Sequence, residues 1–494
     1  MSETVFEQTL DHPIDQVWGV HATPGIVTRL TPGFTRVRLL QEAGNLKSGL
    51  TRMRFPGGVV WEGKHDPGFY HPLVAASDGR PAHVDSPAQF SDVCATPGIG
   101  SAFGWRHVHS FQDVHPGGGT ILRDRITTNA PSFVADQLLK GVFGYRQAQL
   151  AGDLKHLQQA RGWAGESTGE MTIAVTGASG AVGTQLCALL QLAGHRVIRL
   201  SRNPQPLIDE ANARPGGAAV QYRQWDPQYP AEDLLADVDA VVHLAGSSIA
   251  GRFTDEHLAK VAGSRIEPTR KLAELAARTD RVHTFVSASA VGFYGADASE
   301  PVDEATPADE SSTLGRIVRD WEAATEPAMA AGLRVVQVRT GLVMAAGTAL
   351  LDLLTAQAKL GGGALGDGRQ FFPWIAMNDL VDIYHRALTD PMLQGPVNAV
   401  APGIVCNREF MATLAEVGGN PVIPGGLRGK LQVPVPAAGP RLLLGEDGAA
   451  ELALADQNVR PAVLADMGHE FRTPELTDAL RHELGKNPAS PLQS

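Results

Sequence analysis

The stretch TIAVTGASGAVG, residues 172–183, joins a short apolar run to a glycine-rich turn and indicates the architecture of the residues after it. Residues 172–176 are β-branched or small, which is typical of a fully buried parallel strand. Apolar residues then recur at helical spacing until Gly194; they are Val182, Leu186, Leu189, Leu190 and Ala193. Residues 195–200 again have the composition of a strand. The pattern therefore predicts a strand–turn–helix–strand unit of about 30 residues.

Each of the three glycines in the turn has a physical role. Gly177 lets the chain leave the strand in a conformation that a side chain would obstruct. Gly180 lets backbone N–H groups approach a pyrophosphate, and Gly183 lets helix and strand pack closely. The helix N-terminus adds unpaired N–H donors and the positive end of its dipole. The turn predicts a dinucleotide-binding site, and the alternative is a Rossmann-like unit that binds nothing.

The end of the second strand helps to choose the cofactor. A carboxylate at this position binds the ribose 2′-hydroxyl and repels a 2′-phosphate. This chain has Ser201 and Arg202 instead, and both side chains can donate hydrogen bonds to a 2′-phosphate. We therefore expect NADP, with NAD as the alternative if Arg202 only stacks on the adenine or faces solvent.

The composition excludes several classes of protein. The chain of 494 residues is too long for one ordinary core, so two or three domains are expected. A net charge of −11 argues against a nucleic-acid-binding surface, and no apolar run is long enough to span a membrane. Cys94, Cys187 and Cys406 fit no disulfide or zinc spacing. Because the N-terminus also lacks the plan of a signal peptide, we expect a cytoplasmic protein.

Residues 1–160 alternate strand-like runs with turns and close with one long amphipathic helix. The predicted order is a strand at 5–10, helices at 14–18 and 24–30, and strands at 35–40, 50–55, 58–65, 88–92, 104–112 and 119–127. The apolar stripe of the closing helix runs from Val134 to Leu157. This order resembles the α+β helix-grip fold of the START/polyketide-cyclase-like superfamily, which implies a cavity for an apolar ligand. Residues 161–170 have the composition of a linker.

Two histidines of this segment share one face of a predicted strand. His107 and His109 alternate along the strand, and His115 lies nearby in the sequence. No acidic or cysteine partner stands at a telling spacing. We therefore expect solvated or hydrogen-bonded histidines and no metal site, with a metal pair as the alternative.

In residues 171–400, strands alternate with helices, which predicts an α/β fold with a Rossmann-like doubly wound parallel sheet. Its later strands are expected at 218–225, 239–246, 284–289 and 335–341, with a helix at 264–278. The motifs DAVVHLAG (239–246), SASAVGFYG (287–295), RDWE (319–322), RTG (339–341) and WIAMNDL (374–380) follow in that order. With the glycine turn, they resemble the epimerase-family group of atypical extended short-chain dehydrogenases/reductases, sometimes labelled sugar-nucleotide epimerases or cell-division-inhibitor-like proteins. Residues 401–494 resemble the C-terminal module of that group.

The resemblance implies where a nicotinamide dinucleotide and a substrate would bind. Cofactor contacts are implied in the glycine turn and at the carboxyl ends of the other strands. The implied residues are Thr176, Gly177, Ser179, Gly180, Ala181, Val182, Gly183, Ser201, Arg202, Trp225, Asp226, Leu244, Ala245, Gly246, Arg339 and Thr340. Arg369 and Trp374 are the substrate candidates, because they lie in the region that covers the substrate in the superfamily. The alternative is a packed lid with a surface arginine.

The residues for proton transfer are the difficulty. Enzymes of the superfamily use a hydroxyl that orients the substrate and a tyrosine whose pKa is lowered by a lysine four residues later. Ser289 is the first candidate for the hydroxyl and Ser287 the second; a serine that only satisfies local backbone groups is the alternative. Tyr294 is a candidate acid. The usual tyrosine–lysine pair falls on Leu314 and Val318, which cannot move a proton.

Two functions therefore compete. The first is an NADP-dependent oxidoreductase or nucleotide-sugar epimerase-like enzyme with an altered proton route, acting on a small molecule. The second is a non-catalytic NADP-binding regulator or sensor coupled to an apolar-ligand domain, with cell division as one setting.

Overall fold

The chain is organised around two large β-sheets, one on each side of residue 170. The computed structural model describes residues 2–74, 87–114, 118–164, 169–419, 427, 429–430 and 432–489, so His115 lies outside the described residues. Within these ranges no helix is both long enough and apolar enough to cross a bilayer.

The first sheet is antiparallel, with seven strands in the order β1-β7-β6-β5-β4-β3-β2. The strands are β1 (Ser2–Leu10), β2 (Arg38–Gln41), β3 (Leu50–Arg54), β4 (Val60–His65), β5 (Ala88–Cys94), β6 (Arg106–Asp113) and β7 (Thr120–Thr128). Helices α1 (Ile14–Ala22) and α2 (Ile26–Leu30) lie between β1 and β2 in the chain, and α3 (Ile99–Phe103) precedes β6. This is the predicted order of elements, whereas membership of the START/polyketide-cyclase-like superfamily stays a prediction.

The long helix α4 (Ser132–Ala164) packs against β1 and closes the first core. That core is apolar and joins the sheet to α1, α2 and α4; its buried members include Leu10, Val17, Leu30, Phe90, Phe111, Leu122, Leu150 and Leu154. Helix α4 continues to Ala164 and so includes the first four residues of the expected linker.

The second sheet is parallel, with the order β10-β9-β8-β11-β12-β14-β19. Its strands are β8 (Thr172–Thr176), β9 (Arg196–Ser201), β10 (Gln221–Gln224), β11 (Ala240–His243), β12 (Thr284–Ala290), β14 (Arg334–Thr340) and β19 (Gly395–Ala399). The order reverses at β8, which confirms the predicted doubly wound topology. Every residue of β8 and β11 is buried, as their composition predicts.

Helices cover both faces of this sheet. One face packs against α5 (Ala181–Leu192) and α12 (Met377–Thr389), and the other packs against α8 (Ile266–Ala277). The other helices of this part are α6 (Gln205–Ala211), α7 (Asp255–Gly263), α9 (Thr313–Ala323) and α10 (Glu326–Ala330).

Small two-stranded sheets attach the C-terminal part to the rest. The pairs are β13 (Asp297–Val302) with β22 (Asp456–Val459), β15 (Leu342–Met344) with β18 (Trp374–Ala376), β16 (Gly362–Leu365) with β21 (Val433–Val435), and β17 (Phe371–Phe372) with β20 (Val405–Cys406). The helices here are α11 (Ala349–Lys359), α13 (Asn407–Gly418) and the segments Ala438–Gly448, Ala462–Asp466 and Leu476–Glu483. Three of these pairs join a strand before residue 400 to one after it, so packing is continuous across the expected boundary.

A buried ion network joins α4 to both later parts of the chain. Asp153 on α4 accepts hydrogen bonds from Arg29 (2.6 Å) and from Arg472 (2.8 Å). Arg472 also donates to both carboxylate oxygens of Asp382 on α12, at 2.5 and 2.6 Å, and Arg29 donates to Asn378 at 2.8 Å. Burial disfavours the charge of Asp153, but the two guanidinium groups outweigh burial and lower the pKa of its carboxyl. The network therefore ties three distant segments together.

Candidate dinucleotide-binding site

The glycine turn lies between β8 and α5. Gly177 has φ 65°, and a Cβ there would lie 2.9 Å from the backbone of Leu244. A Cβ on Gly183 would lie 2.3 Å from the carbonyl oxygen of Gly177, whereas one on Gly180 would only approach that oxygen to 3.2 Å. The first and third glycines are thus required by close packing, as predicted, and the second lies on the open side of the turn.

The start of α5 is open to solvent. Ser179, Gly180 and Ala181 are exposed, and Gly180, at the N-cap position, supplies no side-chain hydrogen bond to the helix. Val182 is half-buried behind them. The first N–H groups of a helix have no intrahelical acceptor, so this uncapped end presents donors and the positive end of a dipole to an anion.

Thr176 links the ends of β8 and β11. Its Oγ1 accepts hydrogen bonds from the backbone N–H of Leu244 (3.0 Å) and Ala245 (3.2 Å) and donates to Nδ1 of His243 (2.8 Å). Burial, helped by Arg265, lowers the pKa of His243 to about 4, so its imidazole is neutral and Nδ1 can accept. The buried hydroxyl of Thr176 thus positions the two strand ends, and a contact of Thr176 with the cofactor stays a prediction.

The adenosine side of the predicted site is partly open. Arg202 is exposed just past β9, with Ser201 half-buried beside it. Asp226 is exposed, and its Oδ1 accepts from the N–H groups of Gln228 and Tyr229 in a turn. Trp225 is 4% exposed and packs in the core against residues of β9 and β11, and its contact with the cofactor stays a prediction.

The loop after β11 packs closely against the side chain of Arg265. Leu244 and Ala245 are half-buried and Gly246 is exposed. A Cβ on Gly246 would lie 3.0 Å from the guanidinium carbon of Arg265, so a larger residue would push that side chain away. The small residues expected here are required by the protein's own packing.

A chain of hydrogen-bonded polar side chains is buried at the end of β12. Ser289 donates a 2.5 Å hydrogen bond to Glu322 of α9, and Arg339 of β14 binds both oxygens of Glu322 at 2.8 and 2.9 Å. Arg339 also donates to the hydroxyl of Tyr294 (2.8 Å), which in turn donates to Asn398 (2.8 Å). The contact of Glu322 with Ser289 could not be predicted, because nothing in the RDWE motif shows that its last residue lies against Ser289.

This chain of contacts bears on two predictions. Tyr294 is 4% exposed, its hydroxyl is bound on both sides, and burial raises its pKa to about 12. Arg339 is also 4% exposed, with its guanidinium bound to Glu322 and Tyr294 and stacked 3.5 Å from the ring centroid of Phe293. The role of Tyr294 as an acid and that of Arg339 in cofactor binding stay predictions. Thr340, the other residue predicted here, is half-buried and donates to Val338.

Leu314 and Val318 are the positions at which the sequence predicts the tyrosine and lysine of the superfamily to fall. Both are buried, at 3% and 4% exposed, and both face Gly292 in the turn after β12. The site is therefore apolar at these two positions, as the sequence indicates. Ser287 is also buried and donates only to the carbonyl oxygen of Ala288.

The two substrate candidates differ. The Arg369 side chain is 83% exposed and its closest carboxylate, Asp367, is 3.8 Å away, so its guanidinium is open to solvent. Trp374 is fully buried in the C-terminal core, where its indole N–H donates to the carbonyl oxygen of Gly403. β18 directs the ring of Trp374 inward, and stacking of this ring on a substrate stays a prediction.

A cavity of about 530 Å³ lies between the N-terminal segment and helices of the second sheet, and it reaches the glycine turn. Its lining includes Thr28, Thr31 and Gln41 from the first segment and Ser179, Ala181 and Thr348 from the second. No sequence signal pointed to this cavity, because it forms only where two separately patterned segments meet.

The fold and the site define a Rossmann-type protein of the extended short-chain dehydrogenase/reductase kind. A family model described as the NAD dependent epimerase/dehydratase family matches residues 173–399, and a domain of unknown function, DUF1731, matches residues 435–483. An epimerase family protein of Mycobacterium bovis is 34% identical over 62% of this chain and 96% of its own length. The chain belongs to the NAD-dependent epimerase/dehydratase family.

Two solved structures extend the comparison. A nucleoside-diphosphate sugar epimerase from Corynebacterium glutamicum is 35% identical with a TM-score of 0.77, and the match covers 98% of this chain and 90% of that one. The human epimerase family protein SDR39U1 (isoform 2), solved with NADPH, is 30% identical with a TM-score of 0.53, over 64% of this chain and 100% of that one. The first match therefore includes the N-terminal segment. The second solved chain is matched over its whole length and is too short to include a counterpart of that segment.

Proposed function

We propose that the protein is an NADP-dependent oxidoreductase or nucleotide-sugar epimerase-like enzyme that binds its cofactor at the turn of residues 177–183. The observation that carries the proposal is the uncapped, exposed start of α5 directly after a buried parallel strand. Exposed Arg202 supports NADP over NAD, and the human relative named above was solved with NADPH.

The proposed chemistry is hydride transfer with an altered proton route. When bound, NADP would supply a hydride acceptor and donor for a substrate carbon, and an epimerase would use both directions on opposite faces of that carbon. In the direction of alcohol oxidation, the proton of the substrate hydroxyl passes to Ser289 as the Ser289 proton passes to Glu322, which lies 2.5 Å away. Glu322 thereby takes the place of the absent tyrosine–lysine pair. Arg369 is the proposed contact for a substrate phosphate.

Arg202→Glu tests the cofactor assignment. A carboxylate at this position repels a 2′-phosphate and accepts from a 2′-hydroxyl, so we expect NADPH affinity to fall at least about tenfold while NADH affinity holds or improves. Calorimetric titration with the two dinucleotides gives the ratio. Arg278→Glu, an exposed charge reversal just past α8, is the control and should leave both affinities unchanged. Equal losses for both dinucleotides in Arg202→Glu would contradict the assignment.

Ser289→Ala tests the proton route. It removes the bridging hydroxyl but leaves the pair between Glu322 and Arg339 intact, so the fold and NADPH binding should persist while turnover falls about 10²–10⁴-fold. Turnover is followed by incubating the protein with a pool of nucleotide sugars and resolving the products by NMR. Ser287→Ala, a buried hydroxyl bonded only to a neighbouring carbonyl, is the matched control.

The second candidate is a non-catalytic NADP-binding regulator. It is favoured by the apolar packing of Leu314 and Val318 and by the fully bound hydroxyl of Tyr294. The cavity beside the glycine turn would let the N-terminal segment respond to a bound dinucleotide. Tight NADPH binding without turnover of any pool, in the wild type as in Ser289→Ala, decides for this candidate.

A further inference from the structure

A cluster of histidine and aspartate side chains lies inside the first sheet, far in sequence from the glycine turn. Strand pairing places Asp92 on β5 directly opposite His107 on β6, and His109 on β6 directly opposite Asp124 on β7. The side chains of His107, His109 and Asp124 are 7–8% exposed, and that of Asp92 is 22% exposed. Three adjacent strands thus bring four metal-ligating side chains onto one face of the sheet.

The nitrogen and oxygen atoms of this cluster lie close together, and hydrogen bonds account for only part of their contacts. Nε2 of His107 and Nδ1 of His109 lie 2.9 and 2.7 Å from the same oxygen of Asp124. The buried Nδ1 of His109 has no aligned hydrogen-bond partner in the described chain despite that short distance. Nδ1 of His107 lies 3.6 Å from Asp92, too far for a hydrogen bond.

The separation of 3.6 Å between Nδ1 of His107 and Asp92 is close to that of two ligands of one ion. Nitrogen and oxygen atoms bound at about 2.0–2.2 Å to a common cation lie roughly 2.9–3.5 Å from one another, depending on the bond angle. One ligand atom from each of Asp92, His107 and His109 can be chosen so that all lie within 4.8 Å of one another, and binding of an ion would draw these atoms together by side-chain rotation. Asp124 bonds His107 on the side away from Asp92, which is how a carboxylate orients a ligating histidine.

We propose that Asp92, His107 and His109 bind a divalent transition-metal ion, with Asp124 as the carboxylate that positions the imidazole of His107. Two imidazoles and one carboxylate select zinc or iron(II) over magnesium or calcium, and three protein ligands leave room for water or a further ligand. This revises the sequence-based expectation of merely hydrogen-bonded histidines. No acidic partner was visible near His107 in the sequence, because Asp92 and Asp124 come from the two flanking strands.

The surroundings of the cluster suit a buried ion. Phe90 stacks on His109 with ring centroids 4.4 Å apart, and Phe143 of α4 packs edge-on against His107 at 5.6 Å. Aromatic walls exclude water and so strengthen the attraction between an ion and its carboxylates. The proposal concerns the N-terminal segment alone and does not depend on the function proposed for the glycine turn.

The test uses the full-length protein, stripped with a chelator, dialysed, and loaded with Zn²⁺ or with Co²⁺ as a spectroscopic probe. We expect about one ion per chain after gel filtration and visible d–d absorption from bound Co²⁺. His107→Gln and His109→Gln should each lower Zn²⁺ affinity at least about tenfold. His71→Gln, an exposed histidine of the same segment, is the matched control and should bind as the wild type does.

Asp92→Asn is a further variant, in case the histidine variants fail to fold. The Asp92 side chain is partly exposed, and asparagine is nearly isosteric with aspartate. It should keep the circular dichroism spectrum of the wild type and still lose Zn²⁺ affinity. Zinc should also raise the unfolding temperature of the wild type and not that of Asp92→Asn. Retention of no more than about 0.1 ion per chain by the wild type, or unchanged binding in His109→Gln and Asp92→Asn, would overturn the proposal.

Discussion

Gly183 shows how one missing side chain decides the geometry of the cofactor turn. The first turn of α5 crosses the end of β8 so closely that the carbonyl oxygen of Gly177 occupies the place of a Cβ at residue 183. Any side chain there must displace backbone, which a turn with two bonded ends resists. The residue therefore acts through packing, and its effect on cofactor binding comes from the turn that it shapes.

Gly183→Ala is expected to lower the free energy of unfolding by about 1–3 kcal/mol and to weaken NADPH binding, because the turn must open to admit the methyl group. Urea denaturation and calorimetric titration measure the two effects. Gly263→Ala, at a glycine with nothing within 4 Å of the added Cβ, is the control and should be neutral or slightly stabilising. Equal stability of the two variants would contradict this account.

Single residues differ in how well the sequence predicts them. The glycine turn and the missing pair at Leu314 and Val318 are visible because each is a local pattern. The burial of Trp374 could not be predicted, because a motif does not show which way a two-sided strand turns its ring. The contacts of Arg339 could not be predicted, because its partner, Glu322, comes from another element.

The carboxyl ends of β8 and β11 behave as one element. The hydroxyl of Thr176 accepts a hydrogen bond from the backbone N–H of Leu244 and donates one to the neutral imidazole of His243, so it links the two strand ends. Both strands and their parallel arrangement were predictable, because continuous apolar, β-branched runs are typical of buried strands in parallel sheets. The bridge was not, because a threonine and a histidine in two strands carry no signal of contact.

The bridge predicts a pH dependence. Because the pKa of His243 falls from near 6.5 to about 4 on folding, the folded state binds fewer protons in this window, and stability present above pH 6.5 is lost as pH falls through 4. The contribution of this one residue amounts to about 2 kcal/mol between pH 7 and pH 5. Urea midpoints of His243→Asn should therefore fall less with acidification than those of the wild type. Exposed His283→Asn should retain the wild-type slope.

In the molecule as a whole, Asp153 is the point where three segments meet. It lies on the long helix of the first sheet, and its two arginine partners come from α2 and from the C-terminal part. Composition predicted separate units with a linker at 161–170, yet the described chain forms continuous contacts across both expected boundaries. Ion pairs between distant residues leave no periodic trace, which is why this coupling could not be predicted.

Asp153→Asn is expected to lower the free energy of unfolding by about 3–5 kcal/mol, because it leaves two buried guanidinium groups with too little negative charge. Chemical denaturation followed by tryptophan fluorescence measures the loss. Asp352→Asn, which removes the exposed pair with Arg36 between the same two halves, should cost less than about 1 kcal/mol. Similar losses in both variants would show that burial of the network does not matter.

The position of Asp153 also bears on how longer and shorter members of the family are related. The Mycobacterium bovis relative aligns with 62% of this chain over nearly its full length. Deleting the first 164 residues here would strip Arg472 of one carboxylate and uncover Asn378 and Asp382 on α12. We therefore expect a chain without residues 1–164 to be stabilised by new side chains on α12 and near residue 472, some 200 to 300 positions downstream of the segment removed.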